Sequence, residues 1–245
     1  IRGYWKQLCE RVEQLESGEA GIQKLEEQVK AAAKEYQAAA TTLSSKRART
    51  AKELKRAVEK ELAALAMAGT VFEARLETSR EEPDWRSTGI DTVEFLLSPN
   101  PGEPLRPLAR IASGGETSRI MLALETVIAT HPGAGSSGHF PEHALIFDEV
   151  DAGIGGRAAE TVGRKLRQLG ESRQVLCVTH LPQIASFAHH HFQVEKAGQE
   201  GRTVTRVQYL QGTERRAELA RMLSGSQITP AVLAHAEQLL KTNAR

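Results

Sequence analysis

The sequence predicts an α/β fold in which a parallel βαβ core, with flanking hairpins and helices, follows an N-terminal coiled-coil helical arm. Two continuous apolar runs, 144–149 and 174–179, are separated by a helical pattern at about 157–169. Such runs are typical of buried parallel strands joined by a crossover helix. Residues 1–68 contain no proline and are rich in Ala, Glu, Lys, Gln and Leu. We therefore predict an arm over 1–68 and an α/β lobe over 69–245.

Apolar side chains of the arm recur in steps of three, four and seven, as in a helix that buries one narrow stripe. The stripe consists of Leu8, Val12, Leu15, Ile22, Leu25, Val29, Tyr36, Leu43, Leu54, Val58, Leu62 and Leu65. Ser17, Gly18 and Gly21 predict a break in the helix. The helix that follows the break would contain about 45 residues and reach roughly 70 Å. A helix in a compact bundle is the alternative, but the charged remaining faces favour a coiled coil. Its partner strand is expected upstream of Ile1.

Period-two alternation after Gly69 predicts a first hairpin, and its strands are followed by a mixture of helices, loops and one further hairpin. The predicted elements are strands at 71–77 and 92–97, a helix at 117–130, a surface loop at 131–143, strands at 191–196 and 203–210, and helices at 214–223 and 229–242.

Composition limits the classes of partner. The formal net charge is +1, with 26% charged residues, so the chain is not a nucleic-acid binder by bulk charge. Any DNA contact must come from a local patch. The densest cationic run contains Lys46, Arg47, Arg49, Lys52, Lys55 and Arg56, which also fit a solvated helix face.

Cys9 and Cys177 are too few for a disulfide framework, which indicates a reducing cytoplasm. The sequence shows neither an apolar run of membrane-spanning length nor a signal-peptide pattern. We expect a soluble intracellular chain.

Two carboxylates, Asp148 and Glu149, come at the end of the first apolar run. Ligand sites in open α/β sheets lie at the carboxyl ends of the strands. Asp148 is placed to hold Mg²⁺, which prefers oxygen ligands and keeps several waters. Glu149 is placed to orient or deprotonate an attacking water. Acidic residues at strand ends also serve as turn formers or helix caps, and the neighbouring motifs decide for the functional interpretation.

Ser113, Gly114 and Gly115 precede the helix predicted at 117–130. A helix N-terminus with glycines and a serine offers N–H groups to an anion. His180 follows the second apolar run and would reach the same edge of the sheet, beside Asp148 and Glu149. In the run from His189 to His191, adjacent histidines of a strand point to opposite faces, which disfavours a metal site there.

Together these runs resemble motifs of the ATP-binding-cassette superfamily. Ala112–Glu116 is similar to its signature loop, Leu145–Glu149 to the Walker B strand, Val150–Gly156 to the D-loop, and His180 to the switch histidine. Within the superfamily, Phe147–Gly156, Ile111–Glu116, Val178–Ala185 and Glu218–Gly225 look like the RecN family, bacterial SMC-like proteins of double-strand-break repair. The resemblance covers nearly the whole chain; Thr117 departs from it, because the family usually has Leu there.

The resemblance implies an ATPase of DNA repair and recombination, with ATP and Mg²⁺ as cofactors and two heads that sandwich ATP. Asp148 would hold the metal, with Glu149 and His180 as catalytic residues beside the phosphate loop of their own head. Nucleotide in the opposite head would be contacted by Ser113, Gly114, Gly115 and Glu116, and Asp151 would lie across the dimer seam. It implies double-stranded DNA ends or single strands as partners, a homodimer, no membrane, and a cytoplasmic, nucleoid-associated location.

One part of such a site is missing from the sequence. A phosphate loop has the form G-x-x-x-x-G-K-[ST], and the 245 residues contain no Gly-Lys-Ser or Gly-Lys-Thr. We expect the N-terminal half of a longer protein to supply this loop and the other coil strand. The isolated chain should therefore be inactive.

The alternatives to an ATPase of DNA repair are the ATPase subunit of a membrane transporter and a non-catalytic coiled-coil adaptor. The ATPase subunit of a membrane transporter would have Asp-Glu-Pro-Thr where this chain has Asp-Glu-Val-Asp, and the helical arm would be unexplained. A non-catalytic coiled-coil adaptor would keep the head for dimerisation alone. Intact Asp148, Glu149 and His180 disfavour the adaptor.

Overall fold

The computed structural model describes residues 2–111, 113–130, 144–199 and 202–243. Its elements are α1 (Arg2–Ala64), β1 (Val71–Thr78), β2 (Asp91–Ser98), β3 (Arg106–Pro107), α2 (Gly114–Thr130), β4 (Leu145–Phe147), α3 (Gly156–Gly170), β5 (Val175–Cys177), α4 (Pro182–Ala185), β6 (His191–Gln199), β7 (Arg202–Leu210), α5 (Gly212–Ser224) and α6 (Pro230–Asn243), with 3₁₀ turns at Glu82–Asp84 and Leu108–Arg110. The predicted α/β class is confirmed. The loop predicted at 131–143 lies outside the described residues.

The chain divides into two compact units. The first contains Ile1–Lys52 and Arg75–Glu94, and the second contains Glu53–Ala74 and Phe95–Arg245. The boundary predicted between residues 68 and 69 stays a prediction.

The predicted break between Ser17 and Gly21 is wrong, because α1 continues from Arg2 to Ala64. A glycine inside a helix costs about 1 kcal/mol relative to alanine. Helix propagation is cooperative, and the surrounding Ala, Glu, Lys, Gln and Leu residues are strong helix formers. Their combined preference outweighs the local cost.

In the first unit, the predicted stripe lies on the surface of α1 at Ile22, Leu25 and Val29, all of which are exposed. Further along, the ring of Tyr36 stacks on Trp85 with 4.5 Å between the centroids. A coiled-coil partner for the exposed stripe stays a prediction.

Asp91 fixes the hairpin of the first unit to α1. Its carboxylate accepts hydrogen bonds from Ser44 Oγ at 2.8 Å, Thr78 Oγ1 at 2.8 Å and Arg47 Nη1 at 3.1 Å. Burial raises the pKa of Asp91, but these donors outweigh burial and the pKa is lowered. The carboxylate therefore stays ionised and holds the two elements together.

In the second unit, α1 ends in a turn that requires glycine. Gly69 has φ +91°, and a Cβ at this position would lie 2.9 Å from Cγ of Pro101. The left-handed conformation and the close approach both favour glycine. The chain then enters β1, where the backbone N–H of Phe72 donates to Glu59 Oε1 at 3.1 Å.

The predicted βαβ unit forms the centre of the second unit. β4 pairs in parallel with β5, with Leu145 opposite Val175 and Phe147 opposite Cys177, and α3 connects them. A single hydrophobic core joins the C-terminal part of α1 to β1, β2, α2, β4 and α3. Its buried members are Val58, Leu62, Leu65, Met67, Phe72, Leu97, Ile120, Leu122, Ala123, Val127, Phe147, Val150, Ala159, Val162, Leu166, Leu169 and Ile184.

The C-terminal part matches the prediction of a hairpin and two helices. β6 and β7 pair antiparallel from His191 opposite Leu210 to Gln199 opposite Arg202. α5 and α6 form a smaller core around Leu219. Among the helices described here, none combines the length and apolar character needed to cross a bilayer.

Candidate functional site

The first turn of α2 contains the glycines of the predicted anion site. α2 begins at Gly114, three residues before the predicted start. Ser113 caps it: the backbone N–H of Glu116 donates to Ser113 Oγ at 3.4 Å, and that of Thr117 donates to Ser113 O at 3.0 Å. Thr117 Oγ1 also donates to Ser113 O, at 2.8 Å. Ala112 lies outside the described residues.

The same turn packs against the loop that follows β4, which we call the acidic loop (residues 148–152). A Cβ at Gly114 would collide with Oε2 of Glu149. One at Gly115 would lie 2.7 Å from Cβ of Ala152 and 3.0 Å from the carbonyl oxygen of Glu149. Glycine therefore allows α2 and the acidic loop to approach this closely.

Two polar side chains on the next turn of α2 hold the backbone of the acidic loop. Ser118 Oγ donates to the carbonyl oxygen of Asp148 at 2.6 Å. Arg119 Nη1 donates to that of Ala152 at 2.7 Å. Burial lowers the pKa of Arg119, and the charge of Glu116 opposes this shift. Sequence reasoning missed both residues, although they share a helix face with Gly115.

Asp148 and Glu149 are exposed at the carboxyl end of β4. The backbone N–H of Glu149 donates to Asp148 Oδ1 at 2.9 Å. Glu149 has φ +56°, a left-handed conformation that costs a non-glycine residue roughly 1–2 kcal/mol. Such strain persists where the surrounding structure imposes it, and it is concentrated at functional sites.

Asp151 lies buried beside His180. Oδ2 of Asp151 accepts hydrogen bonds from Thr179 Oγ1 at 2.6 Å and from the backbone N–H of His180 at 3.0 Å. Nδ1 of His180 lies 3.1 Å from the same oxygen. Parallel pairing brings these residues together, because Phe147 is opposite Cys177 and both strands end at the same edge.

Cys177 contributes no nucleophile to this edge. Burial, followed by the charges of Asp151 and Asp148, raises the pKa of its thiol to about 12. The thiol is therefore protonated at neutral pH, and thiolate is the reactive form.

The structure thus gathers the predicted site residues into connected contacts. Ser113 precedes α2, whose first turn contributes Gly114, Gly115 and Glu116. The acidic loop contributes Asp148, Glu149 and Asp151, and His180 follows β5. The neighbouring histidines lie elsewhere: His190 Nδ1 is 2.8 Å from the hydroxyl of Tyr209. No group of three or more metal-binding side chains occurs among the described residues. A single carboxylate such as Asp148 suits Mg²⁺, which keeps several waters and binds substrate phosphates.

Several known proteins that are similar in sequence to this chain have the name "DNA repair protein RecN". The protein of Vibrio cholerae is 42% identical over 233 residues, which cover 95% of this chain and 40% of that protein. The protein of Halalkalibacterium halodurans is 40% identical over 220 residues, covering 89% and 38%, and that of Bacillus subtilis is 36% identical over 253 residues, covering 98% and 42%.

The chain belongs to the RecN family. It spans about two fifths of the length of these relatives. No protein-family model matches the chain. Among solved structures, an Smc head domain with a coiled coil and joint from Pyrococcus yayanosii aligns with 72% of this chain and 30% of that one, at a TM-score of 0.46 and 19% identity. This structural likeness is distant, and the assignment to the RecN family rests on sequence.

Proposed function

We propose that this chain is part of an SMC-like ATPase of DNA double-strand-break repair, in which ATP joins two heads and hydrolysis is coupled to DNA binding or tethering. The proposal places the protein in the cytoplasm, in association with the nucleoid. Membership of the RecN family supports it. The observation that carries it is the contact between the start of α2 and the acidic loop: Gly114 faces the carboxylate of Glu149, and Ser118 Oγ donates to the backbone carbonyl oxygen of Asp148. A helix N-terminus of this kind offers N–H groups to an anion.

Each side chain has a role in this proposal. Asp148 would hold Mg²⁺, which neutralises phosphate charge when bound. Glu149 would take a proton from the attacking water, and His180 would lie beside the transferred phosphoryl group and contact the same water. Ser113 and the N–H groups of the first turn of α2 would bind the phosphate carried by a second head. Glu116 lies in the same turn and would support this contact.

The β4–β5 sheet supports the view that another part of the protein completes the head. Ile146 is 71% exposed, Leu176 49% and Val178 63%. Parallel sheets are covered on both faces in known folds. These apolar side chains define an uncovered sheet face. We propose that the segment that covers this sheet face also contains the phosphate loop.

Gly114→Ala in the full-length protein tests the contact that carries the proposal. The added methyl group must displace the carboxylate of Glu149. Because that carboxylate is the far end of a flexible side chain, the thermal unfolding midpoint should change little. A displacement of about 1 Å can cost roughly 100-fold in rate, so steady-state ATP turnover should fall by at least tenfold.

Gly21→Ala is the matched control. A Cβ at Gly21 meets nothing within 4 Å, and alanine in a helix interior is favoured over glycine by about 0.5–1 kcal/mol. Turnover should be unchanged in this variant. Equal turnover in Gly114→Ala and wild type would show that the α2 turn does not position Glu149.

The cationic run on α1 is the proposed DNA contact. Arg47 is engaged with Asp91, and Lys55 Nζ lies 3.6 Å from Glu59. Lys46 and Lys52 are exposed. Replacing both with Gln should weaken duplex binding by the full-length protein irrespective of sequence. The slope of log affinity against log salt should flatten by about 0.9 per lost phosphate contact.

The double variant Lys30→Gln/Lys34→Gln provides the control, because both residues are exposed on α1 and the charge change is identical. Its salt slope should equal that of wild type. If the two double variants behave alike, DNA contacts a different surface.

A further inference from the structure

Asp151 makes contacts that the sequence did not predict. Its side chain is 5% exposed, whereas that of His180 is 76% exposed, and Nδ1 of His180 lies 3.1 Å from Asp151 Oδ2. The same oxygen accepts the backbone N–H of His180 at 3.0 Å. One carboxylate oxygen of Asp151 therefore contacts His180 twice, at its backbone N–H and at its ring nitrogen.

Thr179 extends this arrangement into the backbone that follows β5. Its hydroxyl donates to Asp151 Oδ2 at 2.6 Å and accepts the backbone N–H of Leu181 at 3.0 Å. A buried carboxylate is costly unless it is hydrogen-bonded, and these donors provide the compensation. The arrangement fixes residues 179–181 relative to the acidic loop.

The ring geometry has a chemical consequence. When Nδ1 is directed at a carboxylate, the proton of a neutral imidazole stays on Nδ1. Nε2 is then the acceptor, and it lies on the opposite side of the ring, in a side chain that is largely exposed. Without the carboxylate, the tautomer and the ring orientation are both free to change.

We propose that Asp151 is a positioning residue for His180 within its own head. It keeps the proton on Nδ1 and leaves Nε2 as a hydrogen-bond acceptor for the water that attacks the phosphoryl group. This inference rests on the proposed function for the catalytic role of His180. It concerns contacts within one chain, and the expectation that Asp151 lies across a dimer seam stays a separate prediction.

A purely structural role for Asp151 makes a different prediction. If Asp151 only stabilised the turn after β5, its loss would reduce activity by a factor independent of His180. If Asp151 acts through His180, its loss has no further effect once His180 has been replaced. A double-mutant cycle separates the two cases, because residues that act as a unit are non-additive.

The experiment measures kcat and KM for ATP in the full-length wild type, Asp151→Asn, His180→Gln and the double variant. Asp151→Asn should lower kcat by roughly 10- to 100-fold, the effect of removing the carboxylate partner that orients a metal-bound histidine, which we take as the scale for this pair. Its KM should change little, and the double variant should match His180→Gln. Glu218→Gln is the control, because it neutralises another buried carboxylate, which accepts bonds from Gln193 and Arg221.

A second measurement does not depend on activity. In protein labelled with ¹⁵N-histidine, the ring nitrogen shifts of His180 should report a proton on Nδ1 in wild type and a mixture of tautomers in Asp151→Asn. Unchanged shifts, or rate effects that multiply in the double variant, would overturn the inference. Absence of ATP turnover in wild type would instead refute the proposed function, and the nitrogen shifts would still decide the role of Asp151.

Discussion

Glu149→Gln in the full-length protein is expected to lower ATP turnover by roughly 10²–10⁴-fold, the usual contribution of a general base. Glutamine keeps the size of the side chain and most of its hydrogen bonding but does not accept the proton. Nucleotide binding should survive, and dimerised heads should accumulate with ATP between them. Turnover and light scattering in the presence of ATP measure the two effects.

Glu160→Gln is the control for this substitution, because Glu160 is an exposed glutamate of α3 paired with Arg164. It should hydrolyse ATP like wild type. Turnover by Glu149→Gln within twofold of wild type would assign the base to another residue, and His180 is the next candidate.

The backbone at Glu149 gives this prediction its structural basis. The residue keeps a left-handed conformation at φ +56° although glycine would adopt it without strain. Gly114 leaves just enough room for its carboxylate, and Ser118 holds the preceding carbonyl group. Strain that is imposed from several sides is typical of a residue kept for its chemistry.

The parallel βαβ core could be predicted because its apolar runs are continuous and a helical pattern separates them. The extent of burial could not. The sequence predicted strands at 144–149 and 174–179 that are buried throughout, whereas the structure has three-residue strands with one exposed face. An apolar run indicates that both faces of a strand are buried in the complete protein, but it does not identify the segment that buries each face.

The start of α2 was missed although the sequence contains a signal for it. Ser113 and Glu116 have the S-x-x-E spacing of a capping box, which places the cap at Ser113 and the glycines inside the helix. Glycine's poor helix propensity concealed this. In α1 the reverse occurs: the glycines near Ser17 predict a break, but the strong helix formers around them keep the helix continuous.

Other features carry no sequence signal. A two-residue strand such as β3 and a four-residue helix such as α4 are too short to show a period. The contact between Asp151 and His180 depends on the pairing of β4 with β5, because their register brings the acidic loop beside residues 178–180. Residue type and spacing place both at one edge, and only packing decides which side chains meet.

The isolated 245-residue chain is expected to hydrolyse ATP at a rate indistinguishable from background. It has no Gly-Lys-Ser or Gly-Lys-Thr, and the lysine of that loop reaches the β- and γ-phosphates. Adding the remainder of the full-length protein as a second polypeptide should restore Mg²⁺-dependent turnover. Phosphate release by each part alone and by the mixture is the measurement.

Ile146→Lys tests whether the β4–β5 sheet face forms the interface between this chain and the remainder of the full-length protein. Because Ile146 is 71% exposed in this chain, lysine should leave the unfolding midpoint of the isolated chain unchanged. In the mixture the lysine charge would be buried against the segment that covers this face, at a cost of several kcal/mol. The mixture should therefore not recover ATP turnover. Ile228→Lys, at an exposed apolar residue outside the sheet, should complement normally. Robust turnover by the isolated chain, abolished by Glu149→Gln, would instead show that this chain contains a complete site.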